Sequence, residues 1–197
     1  MSDLPLLGYA LLALIDQKPS SGYDLRKAFA ETAMGNYSSS PGAIYPALER
    51  LEAQRLVRGV VAKSAGLRRR RLYYLTLRGK AELKKWLARP LEEIDLMRGA
   101  GEAMLRFAFM DRALGATYTR VFLRNFRDAL KAYIAGLDSY LAQNATRMPL
   151  PGRLALECGI RGYRSMYDWT AYALRAYRQQ PTKPHSAVRK SKPGDSR

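Results

Sequence analysis

The stretch Ser40-Pro41-Gly42-Ala43-Ile44-Tyr45-Pro46-Ala47-Leu48-Glu49-Arg50-Leu51-Glu52-Ala53-Gln54-Arg55-Leu56 decides how the chain is read. Ser40 can cap a helix that begins at Pro41, because proline lacks an N–H where a first turn has no acceptor for one. Ile44, Leu48 and Leu51 then recur at i, i+4 and i+7, the stripe of a core-facing helix. Tyr45, Glu49, Glu52 and Arg55 fall on the other side. Pro46 sits early enough to remove one backbone bond and bend the helix without ending it. On local pattern alone, an ordinary core helix and a shallow helix able to sink into a groove of DNA are equally open.

Upstream, Leu4 to Ile15 reads as an apolar helix buried on most sides. Lys18-Pro19 ends it, Ser20 or Ser21 caps a second helix, and Leu25, Ala28 and Phe29 give that helix its buried stripe. Downstream, Val57, Gly59 and Val61 alternate loosely as a strand, Ser64-Ala65-Gly66 is a turn, and Leu72 to Thr76 is a second strand. Between them lies Arg68-Arg69-Arg70-Arg71. Three helices followed by a β-hairpin tipped with arginines is the layout of a winged helix-turn-helix. In that layout the third helix enters the major groove and the wing follows the backbone or minor groove. An arginine run is more often just a solvated surface; its place at a hairpin tip favours contact with phosphates.

Charge points the same way. The chain has 34 Lys+Arg against 17 Asp+Glu, a net charge of +17, and a pI near 10.2. Residues 1–90 hold 16 basic and 7 acidic side chains, residues 91–180 hold 13 and 9, and the last 17 hold 5 and 1. Such an excess suits a polyanion. The single histidine, His185, and the single cysteine, Cys158, predict no metal site, no cofactor, no disulfide and no enzyme built on a structured histidine. Leu4 to Ile15 is too short to span a bilayer and follows Asp3 rather than a basic segment, so a cytoplasmic protein without membrane contact is expected.

Thr76 to Leu87 reads as a fourth helix, ended by Arg89-Pro90, and Gly99-Ala100-Gly101 interrupts the next segment. The remainder is helical. Leu123, Phe126, Leu130, Tyr133, Leu137 and Tyr140 form a heptad seam. Leu156, Ile160, Tyr163, Tyr167, Thr170, Leu174 and Tyr177 form another. Two long helices apolar on several sides cannot bury everything against each other, which predicts a symmetric helical dimer. Its dimerisation residues are expected among Leu123, Phe126, Leu130, Tyr133, Leu137, Tyr163, Tyr167 and Leu174; the alternative is a monomer whose helices fold back on the first domain. Residues 181–197, polar and basic, are expected to be disordered. The fold class is thus mainly α: a winged helix-turn-helix with a two-stranded β-wing over 1–88, then an antiparallel helical dimerisation domain over 89–180.

With these pieces in place, residues 1–87 resemble the PadR family of bacterial transcriptional regulators. The resemblance rests on Leu6-Leu7-Gly8, Ser21-Gly22-Tyr23-Asp24-Leu25, Ser40-Pro41-Gly42-Ala43-Ile44-Tyr45-Pro46-Ala47-Leu48, Leu51-Glu52, Leu56-Val57, Arg70-Arg71, Tyr73, Leu75-Thr76 and Gly79. It departs by Leu72, where an aromatic is common, and by an arginine run reaching back to Arg68. The resemblance implies a dimeric regulator, usually a repressor, on a near-palindromic operator in double-stranded DNA. By position, Ser39, Ser40, Gly42, Ala43, Tyr45 and Arg50 would meet the major groove, and Ser21 and Tyr23 would hold phosphates. Lys63, Arg68, Arg69, Arg70 and Arg71 would anchor the wing. Some members respond to small aromatic molecules, and Trp86, Phe107, Tyr163 and Trp169 are the candidate lining of an effector pocket, although aromatics at helical spacing are more often core. Two other readings stay open: a helical dimeric adaptor whose winged domain binds a protein partner, and an enzyme acting on nucleic acid, for which no carboxylate or histidine constellation is visible.

Overall fold

The apolar segment near the start of the chain becomes the post around which the first half is built. In the computed structural model, which describes residues 4–31, 41–62 and 70–179, helix α1 spans Leu6–Gln17. Ala10, Leu11, Leu12 and Ala13 are all but fully buried, as a helix apolar on most sides must be. Ser20–Ser21 then make a two-residue strand, β1, and α2 runs over Gly22–Glu31. The cap of α2 is reciprocal: the Asp24 N–H donates to Ser21 Oγ at 3.2 Å, and the Ser21 N–H donates to Asp24 Oδ2 at 3.2 Å.

The deciding stretch starts its α-helix later than its sequence suggests. Pro41–Ala43 form a single 3-10 turn and α3 spans Ile44–Ala53. Pro46 explains the shift. It has no N–H to give to the Gly42 carbonyl, which breaks the i→i−4 ladder at that point and leaves the continuous ladder to begin with Ala47. Ile44, Ala47, Leu48 and Leu51 are buried, which is the expected stripe with one residue added. Helix α3 closes with Arg55 in the left-handed region at φ 58°, and the Leu56 N–H returns to the Leu51 carbonyl at 2.9 Å.

Strand β2 (Val57–Ala62) pairs antiparallel with β3 (Arg70–Leu75), with Gly59 opposite Tyr73 and Ala62 opposite Arg70. The wing hairpin is two-stranded as expected, but β1 joins its other side to give a sheet of order β1-β3-β2. Two serines carry no strand signal; pairing with β3 is what makes them one. The arginine run is also not all at the tip. Arg70 and Arg71 lie inside β3, where alternation sends them to opposite faces. Helix α4 (Leu77–Ala88) is capped by Thr76, whose Oγ1 accepts from the Gly79 N–H at 3.0 Å and donates toward the Arg55 carbonyl at 2.8 Å.

The rest is α5 (Glu93–Met97), α6 (Gly101–Leu114), α7 (Ala116–Asn144) and α8 (Leu150–Gln179). Helices α7 and α8 form an antiparallel hairpin: Leu123 shares a core cluster with Leu174, Tyr133 meets Tyr163, and Asp138 pairs with Arg164. Helix α6 serves two cores. Leu105 and Phe109 belong to the cluster of the winged half, while Ala103 and Met110 belong to that of the hairpin. Beside them Arg106, 1% exposed, donates to the carbonyls of Leu87 and Arg89 and so ties the end of α4 to α6. Among the described residues no helix is long and apolar enough to cross a membrane.

Candidate nucleic-acid interface

The outward side of α3 carries Tyr45, Glu49 and Arg50, with Gly42 exposed in the turn that precedes it. Tyr45 is 46% exposed, yet it is not loose. A Cβ placed on Gly22 would lie 2.6 Å from Tyr45 Cε1, so the ring rests directly on the bare backbone at the start of α2. Arg50 bends back on its own helix, its Nε donating to the Pro46 carbonyl at 3.3 Å. Ala43 is half-buried. Ser39 and Ser40 lie outside the described residues, as do Lys63, Arg68 and Arg69.

At the start of α2 the two phosphate candidates part company. Tyr23 is 54% exposed, with the Arg26 guanidinium 5.6 Å over its ring. Ser21 is 5% exposed and its hydroxyl donates to Asp24 Oδ2 at 2.7 Å. Ser21 is thus buried and engaged in holding the helix start. The Ser21 hydroxyl also holds the Asp24 carboxyl below its ordinary pKa, against the opposing effect of burial; the Ser21 N–H and the charges of Arg70 and Lys18 add to the lowering.

On the wing, Arg71 is engaged within the chain. Its Nη2 donates to Glu52 Oε1 at 2.8 Å and to Oε2 at 2.7 Å. The Gly59 N–H donates to the same Oε1 at 2.8 Å. The Arg71 hydrogen bond, then the Gly59 N–H, lower the Glu52 pKa, and Glu52 in turn raises that of Arg71. Sequence reading missed Glu52 and Gly59 as parts of this site. The available signal was a carboxylate on a helix read as approaching phosphates. Arg58 lies 5.9 Å over the Tyr74 ring on the other face of the sheet.

Residues 11–85 match the transcriptional regulator PadR-like family. The match covers the winged half of the chain. A probable transcriptional regulator of Mycobacterium tuberculosis, Rv1176c, is 27% identical over 183 residues, covering 83% of this chain and 93% of that protein. The Escherichia coli transcriptional regulator YqjI is 31% identical over 114 residues, covering 55% of this chain and 51% of its own length. The crystal structure of Bacillus subtilis PadR in complex with operator DNA is 23% identical, covering 89% of this chain and 99% of that one, with a TM-score of 0.43.

The second half of this PadR-like chain redistributes the residues expected to hold a partner. Leu123, Phe126 and Leu130 have no exposed surface and Leu174 is 7% exposed, all within one chain. Tyr163 donates to the Leu96 carbonyl at 2.6 Å and meets Tyr133 edge-on at 5.0 Å. Tyr167 packs on the same core, and Leu137 borders a groove of about 370 Å³ between α5 and α7. The buried members of the heptad seams are therefore satisfied by α6, α7 and α8 themselves. Apolar surface left outward includes the far end of the first seam at Tyr140, with Leu150, Leu154 and Tyr172.

The four candidate effector residues do not share one cavity. Trp86 stacks on Tyr9 with centroids 4.6 Å apart and donates Nε1–H to Glu102 at 3.0 Å. Phe107 and Trp169 meet edge-on at 5.1 Å in the hairpin core, away from Trp86. Trp86 does line a cavity of about 700 Å³, with Leu4, Tyr9, Arg89, Asp95 and Glu102 among its walls. Arg89 spans that wall, bonded to Asp95 at 2.5 Å and to Glu102 at 3.2 Å.

Proposed function

We propose that this protein is a transcriptional regulator of the PadR family, a dimeric repressor acting in the cytoplasm on a near-palindromic operator, with α3 presented to the major groove and the wing set along the backbone. The single observation that carries the reading is Tyr45: large, half exposed and seated on Gly22, so its ring is held outward before any DNA arrives. Gly42 beside it lets backbone come close to the duplex. Tyr23 with Arg26, and Arg70 with the arginines before it, are the phosphate contacts, and a net charge of +17 supplies the long-range attraction. Few side chains on α3 can read base edges, so operator symmetry and shape carry much of the selectivity. The dimer contact is the outward apolar surface of the α7–α8 hairpin, where Leu154 and Tyr172 are 50% and 62% exposed.

A small aromatic effector fits the cavity beside the Tyr9–Trp86 stack, where α1, α4 and α6 of the two halves meet. To release DNA a hundredfold it must favour the non-operator conformation by about 2.7 kcal/mol. The test of the DNA reading is Tyr45→Ala. Affinity for a duplex selected by the wild-type protein is expected to fall about tenfold, or ~1.4 kcal/mol, with little change in thermal unfolding. An unaltered affinity removes Tyr45 from the interface.

A further inference from the structure

A carboxylate on a DNA-entering helix is repelled by every phosphate it approaches, so its presence calls for a reason. Glu52 lies at the inner edge of α3, with its side chain 31% exposed. It accepts from the backbone of β2 at Gly59 (2.8 Å) and twice from Arg71 of β3 (2.8 and 2.7 Å). Gly59 has to be bare, because a Cβ there would strike Arg71 Nε and sit 2.9 Å from Glu52 Oε1. Arg71 is held from a further side by Tyr73, whose ring it overlies at 5.9 Å and which is itself 8% exposed. One carboxylate thus joins the reading helix to both strands of the wing.

Stability does not account for this arrangement. An ion pair this exposed contributes little to folding. Its effect is geometric. Helix and wing must meet groove and backbone at the same time, and small errors in their relative angle weaken both contacts. We propose that Glu52 is a positioning residue that fixes the angle between α3 and the wing by holding Arg71 inward. Operator discrimination depends on that angle, and Arg71 itself neutralises no phosphate. The inference rests on the DNA-binding reading above.

The two roles differ in sign. Removing a carboxylate that merely borders DNA strengthens binding to any duplex; removing one that sets an angle weakens selective binding while general attraction stays or rises. The experiment uses the full chain and its Glu52→Gln, Gly59→Ala, Arg71→Ala and Arg70→Ala variants. Each is titrated from about 50 to 200 mM salt against a duplex selected by the wild type from a random pool, and against a scrambled duplex of equal length. Glu52→Gln and Arg71→Ala are each expected to lower the selected-to-scrambled ratio about tenfold without reducing affinity for the scrambled duplex. Gly59→Ala, which changes no charge, is expected to do the same. Arg70→Ala is expected to keep the ratio and to lower the log–log salt slope by about 0.9, the value for one phosphate contact. An unchanged ratio in Glu52→Gln overturns the inference, as does a slope change in Arg71→Ala equal to that of Arg70→Ala. A wild type that selects no sequence from the pool overturns the DNA-binding reading, and this inference falls with it.

Discussion

Around Leu56 the chain has no spare volume, whereas along α7 and α8 it has room. Gly22, Gly59 and Gly79 of the winged half each stand where a Cβ would meet another group head-on: the Tyr45 ring, the Arg71 guanidinium and the Leu56 carbonyl. Gly136, Gly152, Gly159 and Gly162 of the hairpin have nothing within 4 Å of such a Cβ. The winged half is held by discrete fits between named groups, the cap of Thr76 and the clamp of Glu52 among them. The hairpin is held by periodic burial, where many residues contribute and few are unique. The difference separates a part built to hold geometry from a part built to supply bulk and surface.

The largest effect expected from this contrast lies in the hairpin core. Phe126 is fully buried and stacks near Phe122 at 6.0 Å. Phe126→Ala is expected to cost about 3–5 kcal/mol through lost burial and the cavity left behind. Because the contact lies within one chain, the deficit relative to wild type should be equal at protein concentrations a hundredfold apart. A deficit that shrinks on dilution would return Phe126 to an interface between chains.

Next is a paired glycine test. Gly79→Ala drives a methyl into the Leu56 carbonyl oxygen, a backbone atom held by the Thr76 N–H at 3.1 Å. A loss of about 3 kcal/mol is expected, the upper part of the usual range for overpacking. Gly136→Ala in the exposed interior of α7 should instead gain about 0.5–1 kcal/mol, since alanine restricts the unfolded chain and meets nothing. Urea midpoints compare the two directly. Opposite signs sharpen the contrast between the halves; a stabilised Gly79→Ala breaks it.

Much of the winged half could be read from residues alone because its signals are local. A serine three residues before an aspartate, a threonine before a helix and an alternating hairpin each act within a few positions. Strand β1 was not legible, since Ser20 and Ser21 become a strand only by lying beside Tyr73 and Leu72. The Glu52–Arg71 pair was hidden for the same reason, its partners being 19 positions apart. In the hairpin the periodicity of Leu123, Phe126 and Leu130 correctly marks a buried face. Periodicity states that a face is covered and is silent on what covers it, so the chain's own α6 and α8 could not be told from a partner. Aromatic spacing likewise could not show that Trp86 turns toward Tyr9 while Trp169 turns toward Phe107.

The smallest effects concern two aspartates, one in each half. Asp24 sits in the cap of α2, where the Ser21 hydroxyl first, and the Ser21 N–H with the Arg70 charge after it, hold its pKa below the ordinary 3.8. A carboxyl whose folded pKa lies below its unfolded one stabilises the fold above the unfolded value. That contribution is lost as pH falls through the folded value. Asp24→Asn should therefore cost about 0.5–1 kcal/mol at neutral pH, the lower part of the range for a cap, with the deficit fading as pH drops below about 4. Asp138 pairs with Arg164 across the hairpin at 2.8 Å, but the two side chains are 40% and 56% exposed. Asp138→Asn should cost under about 0.5 kcal/mol and respond to added salt, because water and ions already screen the pair. Urea unfolding of both variants from pH 7 to pH 2.5 tests the contrast at its finest. If the Asp24→Asn deficit persists unchanged into acid, the cap works through shape alone and charge has no part in it.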